Sequence, residues 1–538
     1  MVSTPWSRWV AVLAPIAVVV IVIFNAWSGL MPGVGFWDTG EFQTVLPIMG
    51  TAHPTGYPTY VLLGFIANLL LTPIGEPAFR INALSLIAVA VAAGTTLVLV
   101  RRLTGSTIIG AAVGLGLATT PVVWLNATRA DPHPIHLLFA GLLLLTLVRW
   151  EDARRDIPKG EPEDGAEAAE AGAAGAAGAG GAAGAAGAAA EALAAARRTA
   201  DRWLIVAAIV FGLAAGNHSL TLLFIPPIAL YVLSVEPGIL RRWKFMIACP
   251  VAAFGTAALV FLELPIRGGL VPAPLIYGEP ATWDGFWYIA LAEQFRGSLS
   301  DPFADLTGKF DKLVEFATLQ LGLVAYAIPP AFLIAARRAP RYTLLTTLAL
   351  VITVLFNQAY SNADIDRYYL GPVLIIWTWV GILAAELADL AAVLIGNLAP
   401  GPRPITFESP VVRRASLVAA AIVGLVLLLP TIGELDVRSQ AADRTNDVGA
   451  AQWLEVALPA IAQDAVLVSW WSTSTPLWYA QKVQGLRPDI DIIDDRTMLD
   501  RGLGRAPDVI RQFLGTRPVY VIRLDGSDTD ELTRVFDM

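Results

Sequence analysis

Twelve apolar runs, several longer than the ~18 residues that mark a bilayer-crossing helix, constrain this chain before anything else does. They lie at 9–30, 57–74, 81–100, 106–124, 134–150, 203–217, 219–235, 245–264, 315–336, 342–360, 368–396 and 415–433. Only 15% of the 538 residues are charged and 56% are hydrophobic, against about 25% charged in a soluble domain. The fold class expected is a polytopic α-helical membrane protein. The net charge of −8 argues against a nucleic-acid partner. A single cysteine, Cys249, rules out an intramolecular disulfide and a thiolate metal site. The first run is longer than a signal-peptide core and lacks a clear A-x-A cleavage site, so it reads as a retained helix.

Basic clusters fix the expected topology. Arg101-Arg102, Arg149 with Arg154-Arg155, Arg197-Arg198 with Arg202, Arg241-Arg242 with Lys244, Arg337-Arg338 with Arg341, and Arg413-Arg414 punctuate the runs. Short loops rich in Lys and Arg stay in the cytoplasm. If every run spanned, a cytoplasmic N-terminus would put all six clusters outside; if 57–74 does not span, all six fall inside. That run opens with HPTGYP and ends in TPIGEP, so it reads as a juxtamembrane helix in the first outer loop, 30–80. About eleven spanning helices are expected, in a multi-pass protein of the plasma membrane with its N-terminus cytoplasmic and its C-terminal domain extracytoplasmic. Residues 1–433 form the membrane domain, interrupted by a Gly/Ala-rich cytoplasmic linker at 156–200 and an outer loop at 265–315. Residues 434–538 differ: DAVLVSW, DIDIID and PVYVIRL read as short strands of a small α/β domain.

On this topology all four histidines, His53, His133, His136 and His218, lie at the outer face. Asp38 and Glu41 of the first loop, Asp131 in TRADPHPIH, and Asp364 and Asp366 in SNADIDRYY gather there, accompanied by Arg129, Arg267, Arg296 and Arg367. Ionisable groups near membrane depth are costly, and their clustering points to function. Carboxylates can serve as general base or hold sugar hydroxyls, and arginines can neutralise a phosphate. Plainer readings stand beside these. Asp38 and Glu41 also suit a helix cap and a first-turn acid, Asp364, Asp366 and Arg367 a local salt bridge capping a helix, and His218 a turn residue. Trp470-Trp471 reads as strand-end packing before a sugar platform. No HExxH, paired-Cys or calcium-loop spacing occurs. No cofactor is expected, and a divalent metal is not favoured.

GFWDTGEF…AHPTGYP resembles the W-D-S-G-E-F…H-P-P-G-x-P signature of a bacterial family in the GT-C glycosyltransferase superfamily, related to a eukaryotic transmembrane protein O-mannosyltransferase. TRADPHPIH, GLAAGNHSL, LELPIRGG…YGEPATWDGFW and PLWYAQKVQGLRPDIDIID resemble further family blocks in the same order. Asp131 stands where the family has glutamate, and Thr55 replaces a proline. The resemblance implies transfer of a sugar, mannose favoured, from a polyprenyl-phosphate donor to an acceptor hydroxyl, Ser or Thr of a protein, at the outer face. It implies Asp38 as base with Glu41 as helper, and His53, Arg129, Asp131, His136, His218, Arg296, Asp364 and Arg367 as donor- or acceptor-binding candidates. The partners implied are the lipid bilayer, the lipid-linked donor and a protein or glycan acceptor. Transfer to a lipid or cell-wall glycan is the nearest alternative. A lipid-linked-sugar transporter or flippase is another, but transporters place polar sites at mid-membrane and carry internal repeats.

Overall fold

The computed structural model describes residues 5–155, 157, 182–398, 410–522 and 532–535. Most of the Gly/Ala linker expected at 156–200 lies outside them. Among the described residues nine helices are long and apolar enough to cross a membrane. Thr107–Ala118 and Pro121–Ala127, bent by 67° at the Thr119-Thr120 break, make a tenth if counted as one span. The eleventh expected span, 219–235, is a shorter apolar stretch: a 3-10 segment, Ser219–Phe224, runs into the helix Ile225–Val235, whose first turn carries Pro226 and Pro227. At about 2.0 Å per residue for the first part and 1.5 Å for the second it is roughly 28 Å long, close to the hydrocarbon thickness of a bilayer.

The run expected to lie on the surface folds as Pro58–Leu70. Its 13 residues reach only about 20 Å, too short to cross. Within the bundle, Pro77–Thr104 and His133–Arg155 are central, with 72% and 78% of their apolar windows buried, whereas Trp243–Leu270 is 6% buried. The exposed Val251, Phe254 and Leu259 of that helix are what a lipid-facing surface requires. Trp150 and Trp377 anchor the main core.

The three apolar stretches read as strands form β1 (Val466–Val468), β2 (Asp491–Ile493) and β3 (Val519–Val521), joined by β4 (Thr533–Val535), which the sequence pattern did not mark. The order is β2-β1-β3-β4, the first three parallel and β4 antiparallel to β3. Leu467 packs on one face with Ile492, Tyr520 and Tyr479, and Val466 and Val468 on the other with Ile493 and Val509. Alternation at period two thus buries both faces, as a parallel sheet covered by helices demands.

This small domain is not a separate appendage. The helix Trp471–Trp478, which follows β1, packs against Trp37–Ile48 of the first loop. The approach is close enough that a Cβ on Gly40 would meet the Thr475 hydroxyl at 2.8 Å. The same loop is tied to the bundle by a buried amide pair. Gln43 accepts from Gly35 N at 2.7 Å and donates to Asn82 Oδ1 at 2.8 Å, while Asn82 donates to Met31 O and accepts from Ala130 N, both at 2.9 Å.

Candidate active site

Asp38 occupies the first turn of Trp37–Ile48, and no side chain caps that helix. The capping interpretation of Asp38 therefore fails: its carboxylate turns elsewhere. Asp38 Oδ2 accepts from Arg367 Nη2 at 3.0 Å, and Oδ1 accepts from the Trp471 indole N–H at 3.2 Å. The residue borders a cavity of about 680 Å³ between the first loop, the 277–299 segment, the start of the helix led by Arg367 and the α/β domain. Burial alone would raise the Asp38 carboxyl. The charges of His53 and Arg367, with the hydrogen bonds from Arg367 and Trp471, outweigh it and hold the group below the usual carboxylate range.

Arg367 is shared. Its Nη1 donates to Asp131 Oδ2 at 3.0 Å while Nη2 serves Asp38. The Asp131 side chain is 2% exposed, that of Arg367 11% and that of Asp38 31%. Asp131 Oδ1 also accepts from His133 N at 2.8 Å and contacts His133 Nδ1 at 2.7 Å. Burial again acts to raise Asp131, but His133 and Arg367 prevail and keep it well below the ordinary value. Two carboxylates from distant loops thus meet on one guanidinium, the fork geometry to which arginine is suited.

Glu41, one turn on from Asp38, is buried and does not border the cavity. It accepts from His53 N at 2.7 Å and forms a short hydrogen bond with His53 Nδ1. Glu41 is connected to the cavity only through His53, whose Nε2 lies 3.2 Å from the Tyr57 hydroxyl and whose ring borders the cavity. Burial lowers His53; the charge and hydrogen bond of Glu41, with Asp38 nearby, reverse this and raise it above its ordinary value.

The other expected residues divide. His218 and Arg296 border the cavity with His53 and Arg367. His218 Nδ1 accepts from Leu220 N at 3.1 Å, the turn role, yet its ring also lies 4.7 Å from His133 and 5.7 Å from Tyr57. Arg296 is 62% exposed and pairs with Glu293. His136 is buried beside Thr221, behind His218. Asp364 is 56% exposed and pairs at 3.3 Å with Arg129, 235 residues away; neither borders the cavity, and the local salt bridge to Arg367 does not form, because Arg367 turns to Asp38 and Asp131. Arg267 donates to the Ile48 and Met49 carbonyls, closing the end of the Asp38 helix. Trp471 packs against the core of the α/β domain as expected, and its indole N–H also reaches Asp38. Sequence reasoning also missed Tyr277, Tyr288 and Arg496, which line the cavity. Among the described residues no three His, Cys, Asp or Glu side chains converge to hold a metal ion.

The architecture aligns over 95% of the chain with ArnT from Cupriavidus metallidurans bound to undecaprenyl phosphate, at a TM-score of 0.54, 14% identity and 92% coverage of that protein. The chain has the GT-C fold. The apo state of the same ArnT matches with a TM-score of 0.53, 14% identity and coverage of 96% and 93% of the two chains. Residues 38–237 of the chain match the protein O-mannosyl-transferase TMEM260 N-terminal domain, a stretch that includes Asp38, Glu41, His53, Asp131 and His218. The mouse (Mus musculus) protein O-mannosyl-transferase TMEM260 is 25% identical over 478 residues. The alignment takes in 86% of this chain and 59% of that relative's length. The likeness to the O-mannosyltransferase-related family, drawn from the signature motifs, is thus borne out.

Proposed function

We propose that the protein is a glycosyltransferase that moves a sugar, mannose favoured, from a polyprenyl-phosphate carrier to a serine or threonine hydroxyl at the outer face of the plasma membrane. The observation that carries this reading is Asp38: an ionised carboxylate on a cavity wall, held at both oxygens, in the fold of ArnT and within the TMEM260 match.

In the proposed reaction the acceptor oxygen attacks the anomeric carbon as the bond from that carbon to the phosphate oxygen breaks. The electron pair leaves with the phosphate, and the acceptor proton passes to Asp38, inverting the sugar centre. A carboxylate held below its usual range is a weak base. It takes the proton late, once bond formation has made the hydroxyl acidic. Arg367, Arg296 and the raised His53 border the same cavity and would carry the charge developing on the phosphate. Those cations suit a monophosphate leaving group, so the proposed reaction needs no metal.

The test uses purified protein with polyprenyl-phosphate sugars and peptide acceptors. Transfer by the wild type should fall by about a hundredfold or more in Asp38→Asn and should survive EDTA. Absence of transfer from every donor, or equal transfer by the variant, refutes the reading.

A further inference from the structure

β1 and β2 end at Val468 and Ile493, and the segments leaving their carboxyl ends carry Trp471 and Arg496 to the cavity wall. Parallel sheets of this kind bind ligands outside the carboxyl ends of their strands. Arg496 is 9% exposed. Its Nε donates to Asp500 Oδ2 at 2.9 Å, Nη1 reaches Gln294 Oε1 at 3.5 Å, and the guanidinium lies over the Tyr277 ring. Nη2 is buried and has no hydrogen-bond partner among the described residues. A donor in that state costs free energy unless something accepts from it.

What it would accept follows from charge and geometry. Asp500 already offsets the charge of Arg496, so the open N–H suits a neutral oxygen better than a second phosphate. A peptide carbonyl only accepts, and it pairs with a donor-only guanidinium without leaving a hydrogen of its own unplaced. The position is connected to the chemistry. Tyr277 and Trp471 rings lie 6.2 Å apart, and the Trp471 indole donates to Asp38. The wall therefore runs from Arg496 over Tyr277 and Trp471 to the proposed base, a path that a few residues of extended chain can follow.

We propose that Arg496, seated on Tyr277, is the subsite for a backbone carbonyl of an extended peptide acceptor whose hydroxyl lies at Asp38. The subsite rests on the transferase reading and gives its acceptor side a location in the α/β domain.

The full-length protein is supplied with polyprenyl-phosphate mannose and a synthetic threonine peptide. Ester analogues of that peptide are then assayed, in which one amide at a time is replaced and its carbonyl becomes a weaker acceptor. One ester position should raise the acceptor KM about 5- to 10-fold, the scale of a single neutral hydrogen bond, with the donor KM unchanged. Arg496→Lys should raise the acceptor KM similarly and abolish the ester effect. A variant with the wild-type acceptor KM, or a scan with no sensitive ester position, overturns the subsite. The scan needs only the wild type, so a folding defect in the variant does not blur it. Transfer to a glycan but to no peptide, or no transfer at all, overturns the protein-acceptor reading and the subsite with it.

Discussion

Replacing Arg367 with methionine should cost about 3–5 kcal/mol of stability at pH 7, the usual cost of stranding a buried charge. Methionine keeps most of the apolar stem and removes the fork that joins Asp131 to Asp38. Almost all of the loss comes from Asp131, whose side chain is 2% exposed; Asp38, 31% exposed, adds on the order of 1 kcal/mol or less. The loss must depend on pH with a definite sign. In the wild type the Asp131 carboxyl is depressed, so it contributes stability above its unfolded value near 3.9, and that contribution fades as pH falls through the folded value. Without Arg367, His133 and its hydrogen bonds still oppose burial, but less completely, so the carboxyl moves up and its stabilising contribution above the unfolded value shrinks. The gap between variant and wild type should be widest at pH 7 and should narrow toward pH 4. Equilibrium unfolding in mixed micelles across that range, followed by tryptophan fluorescence, measures it. Adding Asp131→Asn to the variant should recover more than half of the loss. A loss under about 1 kcal/mol, a gap independent of pH, or no recovery would refute the buried-charge account.

Three other expectations bear on the same loop. Gly40→Ala would place a methyl against Gly35 O and the Thr475 hydroxyl, so it should destabilise by about 1–3 kcal/mol and reduce transfer, read by thermal unfolding and activity together. Glu41→Gln removes what raises His53. The His53 titration followed by NMR should move down, and the stability difference from wild type should be largest below about pH 6.5 and shrink as pH rises through the folded value. Trp471→Phe keeps the ring and removes its N–H from Asp38; the acid limb of kcat/KM should move to higher pH and the rate should fall about tenfold or more, as for one hydrogen bond to a charged group.

The parts of the site that sequence made legible are local or costly. Asp38, Glu41 and His53 share one short motif, and their contacts span 12 residues or fewer among themselves. Arg367 and Asp131 stood out as ionisable groups near apolar runs, where charge is penalised. Asp364 and Arg129 drew attention for the same reason but pair outside the cavity, because composition cannot tell which of two neighbouring acids faces inward. The surface helix at 58–70 followed from loop-charge bookkeeping. Trp471 and Arg496 carried no such mark. Their meaning arises only when the sheet docks on the first loop, and the one available cue was position: both follow the carboxyl end of a strand. Strand β4 escaped notice because Thr533–Val535 is mostly exposed and lacks a two-residue apolar alternation.

The two oxygens of Asp38 are held by residues made long after it, Arg367 by 329 residues and Trp471 by 433. Trp471 follows Asp38 by 433 residues, which at ~5–20 residues per second is roughly 20 to 90 s of synthesis. During that interval the first loop can fold against its neighbours, but its carboxylate lacks the indole and, for the first 329 residues, the guanidinium too. The hydrogen-bond set of Asp38 is therefore complete only when the C-terminal domain has been made and has docked on the first loop.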